Sequence, residues 1–311
     1  MSIGRISLCV VLIVTAATIA TLGGGWLAHS SPAQRAASCI PSSEGTMIPL
    51  AGGEFTIGSN EFYPEERPRR RAIVEGFTIR MTEVTNAEFA SFVDATGYLT
   101  VSERPAPETG MPGSAVFIAP ESGGPILPMS WWHWVEGANW RHPEGPGSSI
   151  DARMDHPVVQ IAYEDAAAYA QWSGERLPTE EEWEYAASAG GAISDAPYRT
   201  EQGEAIPIAN TWQGLFPLFN SNDDGYMQSA PVGCFEANAF GLHDMIGNVW
   251  EWTETPVGQS VGTIKGGSFL CAPNYCMRYR PAAREAQETG LGTNHIGFRT
   301  VSAVTDSNGD L

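Results

Sequence analysis

The chain has 311 residues, of which 42% are hydrophobic and 17% are charged, so a sizeable apolar core can form. Its formal net charge of −19 argues against nucleic acid or an anionic membrane surface as a partner, because both would repel it. An acidic surface suits bound cations or a basic partner, although solubility alone also explains it.

The amino-terminal residues 1–28 are predicted to be a signal peptide or a membrane anchor. Arg5 precedes a stretch from Ile6 to Ala28 that contains no charged residue. At about 1.5 Å per residue, a helix of this length crosses a hydrocarbon core of roughly 30 Å. Ser31-Pro-Ala33 is a weak cleavage site, which favours the anchor. Both alternatives place the rest of the chain outside the cytoplasm, in a periplasm.

Three further segments complete the predicted domain organisation. Residues 29–44 are rich in Ser, Ala and Pro and are predicted to be a linker. A single domain is expected over residues 45–303, followed by a short tail at 304–311. We find no internal repeat and no second domain boundary.

The domain is predicted to begin with strands and a helix. Alternating apolar residues predict a strand over Met47–Gly58 with a turn at its glycine pair, and a second strand over Ala72–Met81. Thr85 and Glu88 form a capping box at the start of a helix. Gly97 stands where a left-handed glycine ends that helix.

Two more helices are predicted in the middle of the chain. One covers about Glu164–Trp172 and ends at Gly174, and the other begins at the capping box of Thr179 and Glu182 and turns Trp183 inward. The remainder is rich in turn-forming residues, with 34 glycines and 22 prolines in the whole chain. This composition predicts short strands and long ordered loops.

Two cysteines dominate the chemistry of the carboxy-terminal third. Cys271 and Cys276 lie in the segment Lys265-Gly-Gly-Ser-Phe-Leu-Cys-Ala-Pro-Asn-Tyr-Cys-Met-Arg-Tyr-Arg-Pro-Ala-Ala-Arg284. Two nearby thiolates can hold a soft metal ion or form a disulfide. A zinc half-site is unsupported, because no second Cys/His pair at ligand spacing lies nearby. On spacing alone, a structural disulfide is favoured.

The residues around this cysteine pair are polar or charged. Ser268 and Tyr275 bring hydroxyl groups close in sequence, and three arginines are expected to favour thiolate over thiol: Arg278, Arg280 and Arg284. Cys234, outside this segment, is predicted to be a buried structural thiol.

This segment resembles the active-site segment of the formylglycine-generating enzymes, which are copper-dependent oxidases that mature sulfatases. The resemblance extends from about Pro49 to Thr300. It is carried by four further blocks: Gly137-Ala-Asn-Trp-Arg-His-Pro-Glu-Gly-Pro146, Arg176-Leu-Pro-Thr-Glu-Glu-Glu-Trp-Glu-Tyr185, Gly247-Asn-Val-Trp-Glu-Trp252 and Asn294-His-Ile-Gly-Phe-Arg299.

The resemblance implies a single compact α+β domain with little regular secondary structure, related in plan to C-type lectins. It implies an oxidase that uses Cu(I), O2 and a thiol reductant. The substrate would be an unfolded sulfatase chain, in which a cysteine within Cys-x-Pro-x-Arg becomes Cα-formylglycine. Two alternatives remain open: a lectin-like binding module with a Cys271–Cys276 disulfide, and an oxidase of the same fold that acts on another thiol.

The resemblance also assigns roles to individual residues. By this resemblance, Cys271 and Cys276 would be the copper ligands. Ser268, Tyr275 and Trp250 would line the pocket for oxygen and copper. Arg284 and His295 are expected to contact the substrate, although some relatives carry Asn at the position of His295. On residue type alone, Trp250 and Tyr275 are more typical of a core. Gly113-Ser114 replaces an Asp-Ser pair of the family, so no acid is predicted there.

Two structural calcium sites are implied in the same way. Carboxylate and carbonyl oxygens are the ligands that Ca²⁺ prefers. The first site would use the side chains of Asn210 and Asp224 with the carbonyls of Thr211 and Tyr226. The second would use the side chains of Asp244 and Glu251 with the carbonyls of Gly247 and Val249.

Overall fold

The computed structural model describes residue 39 and residues 45–107, 109–120, 127–190, 196–256 and 258–304. The predicted signal or anchor, most of the linker and residues 305–311 lie outside the described residues. Among the helices that are described, none is long and apolar enough to cross a membrane.

Three helices and fifteen short strands make up the described part of the fold. The helices are α1 (Asn86–Thr96), α2 (Tyr163–Ser173) and α3 (Glu180–Ala187). The strands are β1 (Met47–Leu50), β2 (Gly53–Ile57), β3 (Arg70–Val74), β4 (Phe77–Arg80), β5 (Gly113–Phe117), β6 (Trp132–Glu136), β7 (Tyr198–Glu201), β8 (Glu204–Pro207), β9 (Gly214–Leu215), β10 (Phe219–Asn220), β11 (Trp250–Trp252), β12 (Val261–Lys265), β13 (Glu285–Glu288), β14 (Ile296–Gly297) and β15 (Val301–Ala303). The prediction of an α+β fold is confirmed.

The strands form small sheets rather than one continuous layer. β1, β4 and β15 form an antiparallel sheet that brings the two ends of the domain together. A four-stranded sheet has the order β13-β12-β11-β14. The remaining strands form two-stranded pairs: β2 with β3, β5 with β6, β7 with β8 and β9 with β10.

The first two predicted strands each divide in two. Leu50 ends β1 and Gly53 begins β2, so the turn lies at the predicted glycine pair. Gly52 has φ of 71°, and a Cβ there would lie 2.3 Å from the carbonyl oxygen of Val74, so only glycine fits. The prediction of one strand over Ala72–Met81 was wrong, because β3 pairs with β2 whereas β4 pairs with β1, and the chain changes sheets between them.

The predicted helix boundaries are confirmed. Thr85 accepts a hydrogen bond from the Glu88 amide at 3.2 Å, and Glu88 accepts one from the Thr85 amide at 2.9 Å. The same capping box opens α3 at Thr179. Gly97 adopts the left-handed conformation at the end of α1, with φ of 66°.

The largest apolar cluster supports the segment that carries the cysteine pair. Phe89 of α1 packs on Trp140, with ring centroids 5.1 Å apart, and stacks on Tyr169 of α2 at 5.9 Å. Trp250, Trp252 and Cys271 belong to the same buried cluster. The cysteine pair therefore lies against the main core.

Cys39 and Cys234 form a disulfide bond across 195 positions of sequence. The prediction that Cys234 is a buried structural thiol was therefore wrong. No local pattern links two cysteines so far apart, and only the folded chain brings them together. The bond ties the predicted linker to the domain.

Candidate active site

The cysteine segment begins where β12 ends. The ammonium group of Lys265 is buried and donates to Glu184 at 2.9 Å. Gly267 follows with φ of 72°, and a Cβ there would lie 2.8 Å from the Cα atom of Tyr279. Only glycine permits this approach. The segment therefore folds back on itself so that residues before and after the cysteines are in contact.

Cys271 and Cys276 are free thiols with their sulfur atoms 3.1 Å apart. A disulfide bond would bring the sulfurs to about 2.0 Å. Cys271 is buried and Cys276 is partly exposed. The predicted proximity of the two sulfurs is thus present, and the pair is a dithiol.

The pKa values of the two thiols are shifted in opposite directions. The hydrogen bond from the Cys271 thiol, together with the Arg278 amide and guanidinium, lowers the pKa of Cys276 to about 7. Burial and the neighbouring Cys276 raise the pKa of Cys271 well above its usual range. Near neutral pH, Cys276 is therefore the sulfur that more readily becomes a thiolate, and Cys271 supplies the proton that stabilises it.

A cavity of about 560 Å³ opens on this dithiol. Six of the seven predicted catalytic and substrate residues line it, and the exception is Arg284. The six are Cys271, Cys276, Ser268, Tyr275, Trp250 and His295. Residues separated by up to 45 positions in sequence thus share one cavity wall.

The hydroxyl-bearing residues of the cavity differ in exposure. Ser268 is fully buried, and its hydroxyl accepts the Leu270 amide at 3.2 Å. Tyr275 is 46% exposed at the cavity wall, with its ring stacked on Phe216 at 4.5 Å. The Tyr275 hydroxyl donates to the sulfur of Met129 at 3.7 Å. Ser268 is therefore fixed by the fold, while Tyr275 stands where an entering molecule would touch it.

His295 lies in the cavity wall as a neutral imidazole. Burial lowers its pKa to about 3. Its Nδ1 atom is hydrogen-bonded to the hydroxyl of Thr293, and its ring lies 4.8 Å from that of Trp132. The ring is thereby oriented, and it can serve as a hydrogen-bonding group without adding charge.

Only one of the three predicted arginines contacts the sulfurs. The Arg278 side chain hydrogen-bonds to Cys276 and is itself held by Glu65 at 2.6 Å and Glu285 at 3.0 Å. Arg280 instead forms a buried ion pair with Glu66. The expectation that all three favour the thiolate therefore holds for Arg278 alone.

Arg284 lies outside the cavity lining. Its guanidinium donates to the carbonyl oxygen of Glu65 at 2.8 Å and to the carboxylate of Glu180 at 2.9 Å. In this arrangement it joins the cysteine segment to α3 and to the turn at Pro64–Glu66. Its contact with substrate stays a prediction.

Comparisons with known proteins identify the family of the chain. Residues 33–304 match the family described as "Sulfatase-modifying factor enzyme 1-like domain". The chain belongs to this family. A relative named formylglycine-generating enzyme from Mycobacterium tuberculosis is 47% identical over 290 residues, covering 82% of this chain and 97% of the relative. Another of that name from Mus musculus is 40% identical over 276 residues, covering 81% and 74%.

The fold of this chain is similar to that of a solved structure. PvdO from Pseudomonas aeruginosa matches with a TM-score of 0.60 at 23% identity, covering 83% of this chain and 94% of that protein. At this identity the likeness concerns the fold alone.

The two side chains expected at the first calcium site, Asn210 and Asp224, are both buried. Asp224 is buried and accepts the amides of Thr211 at 3.0 Å and Tyr226 at 2.9 Å. The side-chain oxygen of Asn210 is buried without a hydrogen-bond partner among the described residues. The carboxylate of Asp224 also accepts the side-chain amide of Gln213 at 2.6 Å, and calcium binding by this set stays a prediction.

The second ligand set fits less completely. One oxygen of Asp244 accepts the Gly233 amide at 2.7 Å, and the other is buried without a partner in the described part of the chain. Burial raises the pKa of Asp244 to about 6. Glu251 is already paired with Arg299, although its Oε1 atom accepts only one bond from that residue and retains a lone pair.

No three His, Cys, Asp or Glu side chains converge on a metal position within the described residues. Any calcium at these sites would therefore depend on carbonyl and amide oxygens as well. The parallel bridge between Asn210 and Gly247 places the two sets next to each other in the fold.

Several cavity residues were not assigned by sequence reasoning. Trp131 and Trp132 line the cavity, whereas Trp140 is in the core and Trp134 is 42% exposed. Phe216 and Met129 also line the cavity and carry no sequence signal that separates them from packing residues.

Proposed function

We propose that this protein is an oxidase that converts a cysteine of a sulfatase chain to Cα-formylglycine. The observation that carries the proposal is the free dithiol of Cys271 and Cys276, 3.1 Å apart at the wall of a 560 Å³ cavity. The alternative of a binding module stapled by a Cys271–Cys276 disulfide is disfavoured, because both thiols are free and the disulfide lies elsewhere.

The two sulfurs also suit Cu(I), which prefers a few soft ligands. Cys276 ionises readily, and Cys271 would lose its proton on binding a metal. When bound, copper supplies the one-electron chemistry that O2 activation requires. The donor set therefore fits the ion that the family resemblance implies.

The overall reaction balances with O2 and two reducing equivalents. The substrate CH2–SH group and O2, with two hydrogens from a thiol reductant, give the aldehyde, hydrogen sulfide and water. The carbon is oxidised, and O2 is reduced. The apolar wall of Trp131, Trp250 and Phe216 limits water at the reacting carbon. Neutral His295 offers a hydrogen bond without attracting a competing anion.

The substrate we propose is an unfolded sulfatase segment that contains Cys-x-Pro-x-Arg. A cavity that opens at a partly exposed tyrosine admits an extended peptide, whereas a folded domain could not bring a buried cysteine to Cys276. Calcium at the two oxygen-rich sites would hold loops in place, because these sites lie outside the residues that line the cavity.

We also propose that the domain works outside the cytoplasm, tethered or released by its amino-terminal segment. Support comes from the uncharged stretch of Ile6–Ala28 and from the Cys39–Cys234 disulfide, since disulfides persist in oxidising compartments. Cell fractionation with added protease tests this. A full-length protein protected in the cytoplasm would overturn the export proposal.

The function is tested by incubating purified protein with Cu(I), O2, a thiol reductant and a Cys-x-Pro-x-Arg peptide. Mass spectrometry should detect exchange of the thiol for an aldehyde. Omission of O2 or copper should each prevent it. A peptide that keeps its thiol under complete conditions would overturn the proposal.

A further inference from the structure

The edge strand β13 runs along the wall of the active-site cavity. Glu285, Ala286 and Gln287 of this strand all line the cavity. One edge of β13 pairs with β12, and within the described residues no strand pairs with the other edge. An unpaired strand edge presents backbone donors and acceptors to any extended chain beside it.

The hydrogen-bond pattern identifies which backbone groups face outward. The Thr289 amide donates to the carbonyl oxygen of Ser260 at 3.0 Å, so this amide faces β12, while the Thr289 carbonyl oxygen accepts the Tyr163 amide at 3.0 Å. Antiparallel pairs alternate between bonded and non-bonded. Ala286, which lies opposite Thr263, is therefore a non-bonded residue, and its N–H and C=O point away from β12.

A second contact supports this orientation. The Thr253 amide donates to the carbonyl oxygen of Thr263 at 3.0 Å, so that carbonyl faces β11 and not β13. Ala286 is exposed, and its N–H contacts the carboxylate of the adjacent Glu285, a local contact that an incoming carbonyl group can replace.

The strand begins close to the reactive sulfurs. Glu285 contacts Arg278 at 3.0 Å, and Arg278 hydrogen-bonds to Cys276. The first residue of β13 is thus one side chain away from the dithiol. An extended chain advances about 3.3 Å per residue, so the residues next to a cysteine bound at Cys276 can lie beside Ala286.

We propose that the substrate polypeptide docks as an added strand on the free edge of β13. This inference rests on the proposed function and specifies how its substrate is held. Main-chain pairing would suit an enzyme that must accept unfolded chains of varied sequence.

The proline of the substrate motif fixes the register. Proline has no N–H, so it can occupy only a position whose backbone nitrogen faces away from β13. The residue before the proline and the residue after it then face the edge. The arginine, two residues beyond the proline, faces away like the proline itself.

The experiment uses wild-type enzyme and peptides that carry one N-methyl group. Turnover is measured on cysteine peptides, and affinity by fluorescence anisotropy on matched serine peptides. N-methylation directly before or after the proline should weaken binding and raise KM about fivefold, the equivalent of one hydrogen bond. N-methylation of the arginine should change neither value.

Enzyme variants test the same bonds from the other side. Ala286→Pro removes the outward N–H while leaving the ladder to β12, and should raise KM about fivefold. Ala286→Ser keeps the N–H and should therefore bind the serine peptide more tightly than Ala286→Pro does. Thermal unfolding shows whether both variants are folded. If Ala286→Pro does not fold, the N-methyl peptides with wild-type enzyme decide whether the substrate docks as a strand.

The outcomes separate this inference from the proposed function. Equal effects at all N-methyl positions, or none, with normal conversion of the unmodified peptide, would overturn strand docking and leave the function intact. A second outcome would keep the docking and overturn the function. In it, the serine peptide binds and is weakened only by N-methylation next to the proline, but the cysteine peptide is not converted. Absence of both binding and conversion would overturn both.

Discussion

The buried ion pair between Arg280 and Glu66 fixes the segment that follows the cysteine pair. Both side chains are almost fully buried, and the guanidinium donates to both carboxylate oxygens, in one case at 2.9 Å. The guanidinium carbon lies 3.7 Å from the ring centroid of Phe62, and Nε donates to the carbonyl oxygen of Met277 at 3.2 Å. Arg280 thus connects the cysteine segment to the turn at Pro64–Glu66.

Glu66→Gln should destabilise the domain strongly. Removing one partner of a buried ion pair leaves the other charge without compensation, which costs about 3–5 kcal/mol. For domains of 150–250 residues, each kcal/mol lowers Tm by about 2–4 °C. The expected fall in Tm is therefore roughly 6–20 °C.

Thermal unfolding followed by circular dichroism measures this loss, with Glu61→Gln as a matched control at an exposed glutamate close in sequence. The double variant Glu66→Met/Arg280→Met removes both charges and should recover most of the lost stability, because apolar side chains can replace a buried pair. A Tm for Glu66→Gln within about 2 °C of the wild type would refute the reasoning.

Chelation of calcium should lower Tm in the wild type, and Asp224→Ala should remove most of that shift; an unchanged Tm in excess chelator would count against the site. Joint replacement of Cys39 and Cys234 by Ser should lower the free energy of unfolding by about 2–5 kcal/mol. Reductant should lower Tm in the wild type and leave Tm unchanged in this variant. Burial lowers the pKa values of His156 to about 4 and His295 to about 3. At these two histidines the unfolded chain therefore binds more protons below about pH 6.5, so the stability that they contribute should be full above that pH and fall towards pH 4. His156→Asn should flatten the fall measured in denaturant titrations, and an unchanged slope would contradict this assignment.

Local sequence rules predicted the helices well. The capping boxes at Thr85 and Thr179 and the terminal glycines at 97 and 174 act within one helical turn, so they can be identified without tertiary information. Cys271 and Cys276 are close for the same reason, since only four residues lie between them along a tight turn.

Features that depend on distant residues could not be predicted in this way. The break between β3 and β4 arises because the two strands pair with different partners. The Cys39–Cys234 bond and the Glu66–Arg280 pair join segments about 200 positions apart. The contact of Arg284 with Glu180 of α3 likewise joins residues that are about 100 positions apart.

The most direct test of the account compares cysteine variants in the peptide turnover assay. Cys271→Ser and Cys276→Ser should each abolish aldehyde formation while leaving Tm close to the wild-type value, because the two thiols act as metal ligands rather than as a staple. The joint Cys39→Ser/Cys234→Ser variant should keep turnover at a temperature where it is folded. Full aldehyde formation by either Cys271→Ser or Cys276→Ser would contradict the assignment of the dithiol as the oxidase centre.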